Sequence, residues 1–130
     1  MADMKAGRWL ENMWRSKYHS SKVTTEEGTF DSKKELQRWE VLKDMEKMGL
    51  ISDLERQVTF ELLPKQILLV PREKKGRKQK CELPVTYIAD FVYKENGKQI
   101  VEDAKGMRTP EYILKRKMMK FLKEIEIKEV

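Results

Sequence analysis

Asp90, Asp103 and Lys105 are residues whose types and spacing could do chemistry. They flank Lys94-Glu95-Asn96-Gly97-Lys98, and Asn-Gly between two strand-like runs is the signature of a two-residue hairpin loop. With Asn96 and Gly97 as that loop, Glu95 faces Lys98, and counting outward places Asp90 opposite Asp103. Directly opposed residues share a sheet face with Cβ atoms ~4.5–5.5 Å apart, where like charges are destabilising. A structural role alone would not favour that arrangement. Lys105 lies two residues beyond Asp103, so the pleat returns it to the same face roughly 7 Å along. Two carboxylates and an ammonium group then converge, a set able to hold a hard divalent cation beside an anionic substrate.

The acid-x-Lys spacing has no weight by itself. It recurs at Asp3/Lys5, Asp31/Lys33, Glu73/Lys75 and Glu126/Lys128. Only Asp103/Lys105 ends an apolar strand whose hairpin partner brings a second acid to the facing position. A register slip of one residue would abolish the convergence, so geometry leaves two readings open, a metal site and a solvated charged patch. Val85, Tyr87, Ala89 and Phe91 are expected on the face opposite Asp90, and apolar residues on these strands suit a sheet covered on both sides.

Two helices must surround these strands. Ser32-Lys33-Lys34-Glu35 has capping-box spacing and opens an apolar series, Leu36, Trp39, Val41, Leu42, Met45 and Met48, that ends at Gly49. At ~100° per residue, Glu35 points with Trp39 and Leu42, away from the charged side formed by Lys33, Gln37, Glu40, Lys43, Asp44 and Lys47. Glu35 is thus a candidate third acid, in competition with its capping role. Arg38 also faces inward, toward an acid or a phosphate. Thr109 caps a second helix with Pro110 at its first position, expected to run to about Leu122. Lys115 falls within that helix's apolar arc and must snorkel, pair or meet a ligand.

Strands are expected at Val58–Leu62, Ile67–Val70, Leu83–Tyr93, Gln99–Lys105 and Ile125–Val130. Residues 16–29 read as a connector and 71–80 as a loop. Trp9, Leu10, Met13 and Trp14, at helical spacing, are expected to form an amphipathic helix within residues 1–16, followed by one domain over 17–130. Basic residues cluster in two places, Arg72, Lys74, Lys75, Arg77 and Lys78 in the loop and Arg108, Arg116 and Lys117 beyond the Asp103 strand. Either group could contact a phosphate backbone.

Composition agrees with an anionic partner. Among 130 residues, 28 Lys and Arg exceed 22 Asp and Glu, for a net charge of +6, and nucleic acid is the commonest partner of such a surface. A single cysteine, Cys81, excludes an intrachain disulfide, and with His19 as the one histidine it excludes four-cysteine and Cys₂His₂ zinc sites. The longest apolar run, Ile67 to Val70, is far short of the ~20 residues of a membrane span. No membrane association and a cytoplasmic location are the expectation.

Helix with Glu35, Ala89-Asp90 on a hairpin strand, and Asp103-Ala104-Lys105 on the next strand, with a helix after it, resembles the PD-(D/E)xK nuclease superfamily. More closely, Phe30-Asp31-Ser32-Lys33-Lys34-Glu35, Ile51-Ser52-Asp53-Leu54, Tyr87-Ile88-Ala89-Asp90-Phe91 and Val101-Glu102-Asp103-Ala104-Lys105-Gly106 resemble a family of small phage and prophage proteins, over about residues 17–130. The resemblance implies an α/β fold with a restriction-endonuclease-like core, a mixed sheet flanked by helices in the order α-β-β-β-β-α-β. It implies a DNA endonuclease dependent on Mg²⁺ or Mn²⁺, working in a host bacterial cell. The cation would sit on Asp90, Asp103 and the Ala104 backbone carbonyl, with Glu35 binding through water or a second metal and Lys105 beside the attacking water. Gln57, on a core strand, would orient water or the Lys105 amine. Ala89 stands where the superfamily's name expects proline. Glu102, beside Asp103, faces away on the pleat. Holliday junctions and flaps are among the superfamily's substrates, and cutting a junction symmetrically would require a homodimer. The competing classes are a non-catalytic DNA-binding accessory protein and an interaction protein that binds through the tryptophan helix.

Overall fold

The computed structural model describes residues 22–69 and 79–130. The expected helix at 1–16 and the basic positions Arg72, Lys74, Lys75, Arg77 and Lys78 lie outside these residues.

The chain opens with a small hairpin, β1 (Val23–Thr25) and β2 (Gly28–Phe30), where a connector was expected. Arg56 anchors it from the main sheet. The Arg56 guanidinium donates to the carbonyls of Glu27 and Thr29 and lies 3.7 Å from the Phe30 ring centroid. None of these long-range partners is visible in the local Ser/Thr/Lys composition that suggested a connector.

Helix α1 (Lys33–Lys47) begins where the capping signal put it, with Ser32 Oγ accepting the Glu35 N–H at 3.1 Å. The capping box is only half made. The Glu35 carboxylate takes the N–H of Asp31, not that of Ser32.

The chain then runs through β3 (Ser52–Leu63), β4 (Gln66–Leu69), β5 (Gln79–Glu82), β6 (Val85–Glu95) and β7 (Lys98–Asp103). Helix α2 (Pro110–Lys123) follows, and β8 (Lys128–Glu129) is shorter than the expected last strand. β3 starts earlier than its alternation suggested, β5 lies at the end of the segment expected as a loop, and β6 begins only after Pro84, two residues later than the expected start at Leu83. The main sheet has the order β3-β6-β7-β8, antiparallel except for the parallel β7–β8 pair. β4 and β5 form a separate ribbon.

The sheet lies between the two helices, an α/β arrangement with a mixed sheet. On one side Leu42 and the half-buried Trp39 of α1 pack with Ile51, Leu54, Phe91, Tyr93 and Ile100. On the other, Tyr112 and Met119 of α2 pack with Leu62, Tyr87, Ala89, Val92, Val101 and Ile127. Among the described residues, no helix is long and apolar enough to cross a membrane.

These clusters correct the expected strand faces. Tyr87 and Ala89 lie on the α2 side, whereas Phe91 and Tyr93, of the same parity, lie on the α1 side. β3 changes sides at the same level, since Leu54 packs toward α1 while Val58 and Phe60 pack toward α2. The cause is Gln57, whose φ of 53° places a non-glycine residue in the left-handed region and interrupts the pleat. Arg56 pairs with Phe91 and Val58 with Ala89, so Gln57 stands opposite Asp90. Both strands therefore turn over at one facing pair.

Candidate active site

The hairpin register is the expected one. Glu95 pairs with Lys98 and the ladder continues to Phe91↔Glu102, leaving Asp90 and Asp103 next in line. Asn96 and Gly97 have φ of 52° and 78°, the two left-handed residues that a type I′ turn needs. Beyond this point β7 leaves β6 and pairs with β8 through Asp103↔Glu129. The Ala104 N–H is thereby left to donate to Asp90 Oδ2, at 2.8 Å.

Asp103 is buried. Its Oδ2 accepts the Tyr87 hydroxyl at 2.6 Å and its Oδ1 lies 3.1 Å from Lys105 Nζ. The Lys105 ammonium also sits 4.0 Å from the Tyr112 ring centroid, a cation–π distance. A third link closes the group, since Lys34 Nζ donates to the Lys105 carbonyl at 2.8 Å. Asp90 is half-buried. Burial, and then the negative charges of Asp103 and Glu35, raise its carboxyl above the usual aspartate range. Burial and its hydrogen bond to Asp103 likewise raise Tyr87, so its hydroxyl stays a donor.

Glu35 is 2% exposed. It accepts from the Asp31 N–H at 3.0 Å and from Gln57 Nε2 at 3.2 Å, and burial is the main cause of its raised pKa. The left-handed turn at Gln57 thus holds the third acid while turning the strand over. Glu35, Gln57, Asp90, Asp103, Ala104, Lys105 and Lys115 line one cavity of about 940 Å³, with Lys22, Asp31, Tyr87, Ile88, Met107 and Tyr112 also on its wall.

The other expected site residues go elsewhere. Arg38 turns to the opposite side of the strand and makes two 2.7 Å hydrogen bonds to Glu102, which is fully buried and also accepts from the Tyr93 hydroxyl. That ion pair explains why an acid can follow Val101 on the buried α1 side. It removes Arg38 from the cavity. Lys115 reaches the cavity wall and pairs with Glu111 at 3.0 Å. Arg108 and Arg116 both turn to Glu129, at 2.8 and 3.6 Å, while Lys117 is exposed. Tyr87, Tyr112 and Lys34 were not foreseen. Tyr87 and Tyr112 read as ordinary core residues by periodicity, and nothing local in the sequence marks a hydroxyl or a ring as a partner of the site.

Among the described residues, no three His, Cys, Asp or Glu side chains stand as a ready metal-binding cluster. The anionic donors at the cavity are all carboxylate oxygens. Two neighbouring carboxylates, one of them resisting ionisation because of burial and then of the other's charge, suit a hard cation that retains most of its water and takes only one or two protein carboxylates. Among the described residues of its wall, thiolate- or imidazole-seeking ions have no cysteine or histidine donor.

Residues 15–129 match the family described as Protein of unknown function (DUF1064). The chain belongs to that family. No curated protein and no solved structure matches it, so the geometry of this DUF1064 domain has to carry the functional argument.

Proposed function

We propose that this chain is a divalent-metal-dependent DNA endonuclease of the PD-(D/E)xK type, with a restriction-endonuclease-like core. The carrying observation is the meeting of Asp90, Asp103 and Lys105 in one cavity with buried Glu35. The order of the elements around them, a helix bearing the first acid, a hairpin bearing the next two and a helix behind, supports the same reading.

Asp90 and Asp103 would hold Mg²⁺ or Mn²⁺ together with the Ala104 carbonyl, and Glu35 would reach it through water. Bound there, such an ion would neutralise the phosphate and lower the pKa of an attached water. The chain's own groups do the positioning. Tyr87 holds Asp103 at 2.6 Å, Gln57 holds Glu35 at 3.2 Å, and Asp103 with the Tyr112 ring aims the Lys105 ammonium. A fixed cation beside the phosphate stabilises the negative charge that develops as the nucleophile adds, without reorganisation at the moment of reaction. Lys22 and Lys115, on the same wall, supply positive charge for neighbouring phosphates.

The test is cleavage of single-stranded, duplex, flapped and branched DNA by the full chain in Mg²⁺, Mn²⁺ or EDTA. Turnover is expected with either metal and none in EDTA or in Asp103→Ala. Equal cleavage by wild type and Asp103→Ala would remove the site. Loss of turnover in Lys105→Ala with metal uptake intact would support the division of roles.

One observation favours a non-catalytic DNA-binding module. Asp103 is already satisfied by Lys105 and Tyr87, so the network is closed without an ion. That reading expects salt-sensitive DNA binding, indifferent to EDTA and without cleavage.

A further inference from the structure

We propose that the cavity takes DNA with an unpaired base beside the cut phosphate, a single strand or a flap, and that this base sits on the face of the sheet around Ile88, which is exposed among the described residues. The proposal rests on the nuclease reading for the position of the phosphate; the base seat rests on observations of its own.

The turnover of both strands at Gln57 and Asp90 divides the β3–β6 ribbon into two regions. Short of it, the face toward α1 is covered by that helix, as Leu54, Phe91 and Tyr93 show. Past it, Val58, Phe60, Leu62, Tyr87 and Ala89 point toward α2. The alternate residues must point the other way. They include the facing pairs Thr59↔Ile88 and Glu61↔Thr86. Thr59 and Glu61 are exposed, Thr86 is half-buried and Ile88 is 52% exposed. Thr86 and Ile88 line the same cavity as Asp90, Asp103 and Lys105. The open face is therefore a continuation of the site.

Its chemistry differs from that of the rest of the cavity. The cations on the wall come from Lys22, Lys105 and Lys115, whereas the four residues of the open face carry two threonines, one isoleucine and one acid. Duplex DNA presents a negative charge per ~1.7 Å of axis, so a continuous duplex laid across the acids would press phosphates onto Glu61 and against an aliphatic side chain. A base has the opposite character. Its face is apolar and uncharged, suited to Ile88, and its edge can exchange hydrogen bonds with Thr59 and Thr86. Only a base outside the stack offers both, and withdrawing one from a duplex costs unstacking and unpairing that an already unpaired strand does not require.

The experiment measures fluorescence anisotropy of the full chain in EDTA with three fluorescein-labelled DNAs: a single strand, its perfect duplex and a flapped duplex. The single strand and the flap are expected to bind at least about fivefold tighter than the duplex. Ile88→Ser should weaken both by about fivefold, the effect of losing half of a buried isoleucine side chain, and should leave the duplex unchanged. Ile88→Val should restore binding, and Thr59→Glu, a separate exposed position, should weaken the same two DNAs. Equal or tighter duplex binding, an Ile88→Ser effect of the same size on all three, or no binding to any would overturn the proposal. Duplex cleavage in Mg²⁺ without single-strand preference would leave the nuclease standing and remove the base seat. Ile88-sensitive strand binding without cleavage would do the reverse.

Discussion

Replacing Asp90 by Asn should stabilise the metal-free protein. Asp90 and Asp103 follow directly on Phe91↔Glu102, the last pair of the β6–β7 ladder, and the charge of Asp103 acts on the Asp90 carboxyl. Charges ~5 Å apart at an effective dielectric of about 20 repel by about 3 kcal/mol. Lys105 at 3.1 Å from Asp103 offsets part of this, and halving it leaves about 1–2 kcal/mol. The amide oxygen introduced by Asp90→Asn could still accept the Ala104 N–H that Asp90 Oδ2 now takes, so the substitution removes charge and little else. For a chain of this length, that gain corresponds to a Tm rise of roughly 4–8 °C, read by circular dichroism in EDTA. Magnesium should reverse the ranking. At a hundredfold excess over Kd, a bound ion adds about 2.7 kcal/mol to wild type, whereas the variant, lacking one ligand, should gain much less. The pH dependence has a defined sign. A carboxyl whose pKa is raised by folding makes the folded state bind more protons, so in EDTA wild-type stability falls as pH rises above the ordinary aspartate value through the raised one. Asp90→Asn should flatten that fall. A lower Tm for the variant in EDTA, or equal magnesium shifts in the two proteins, would refute the reasoning.

Three further outcomes follow from the same geometry. Arg38→Leu leaves buried Glu102 with the Tyr93 hydroxyl and Lys128 Nζ at 3.9 Å, and should cost about 3–5 kcal/mol in urea unfolding; a loss under about 1 kcal/mol would mean that the pair is not what keeps Glu102 inside. Tyr87→Phe removes the hydroxyl from Asp103 and should weaken Mg²⁺ uptake by about tenfold in calorimetry, as loss of a ligand's supporting hydrogen bond does; unchanged uptake would count against Asp103 as a ligand. Glu129 is held below the usual glutamate range by its hydrogen bond from Arg108, so its contribution is present above the ordinary glutamate pKa and is lost as pH falls through the lowered value. Glu129→Gln should therefore flatten the acid limb of the stability profile, and an unchanged limb would show that the pair is inert.

The parts of this molecule that were legible in its sequence are those written in neighbouring residues. Ser32 and Thr109 start their helices because a side-chain oxygen three positions before an otherwise unpaired N–H can accept it. Asn96-Gly97 sets the hairpin because these residues tolerate positive φ, and that one turn fixes the register up to Phe91↔Glu102, which leaves Asp90 and Asp103 next in line. The inward aim of Glu35 followed from helical period, and it is buried.

The tertiary structure decided which faces those residues share and what they touch. A left-handed residue at Gln57 has no local signature, yet it turns both strands over, moves Phe91 to the α1 side and opens the face that holds Ile88. Arg38 could have met a phosphate or an acid by period alone; it took Glu102, 64 residues away. Tyr112 became part of the site only because α2 folds back to the β7 end and sets a ring under Lys105, and Tyr87 because its hydroxyl reaches Asp103 from the neighbouring strand. Local sequence determines dihedral preference and register, since those energies act within a few residues. The partners of a buried charge are chosen by desolvation, which is felt only once the sheet and both helices have closed around it.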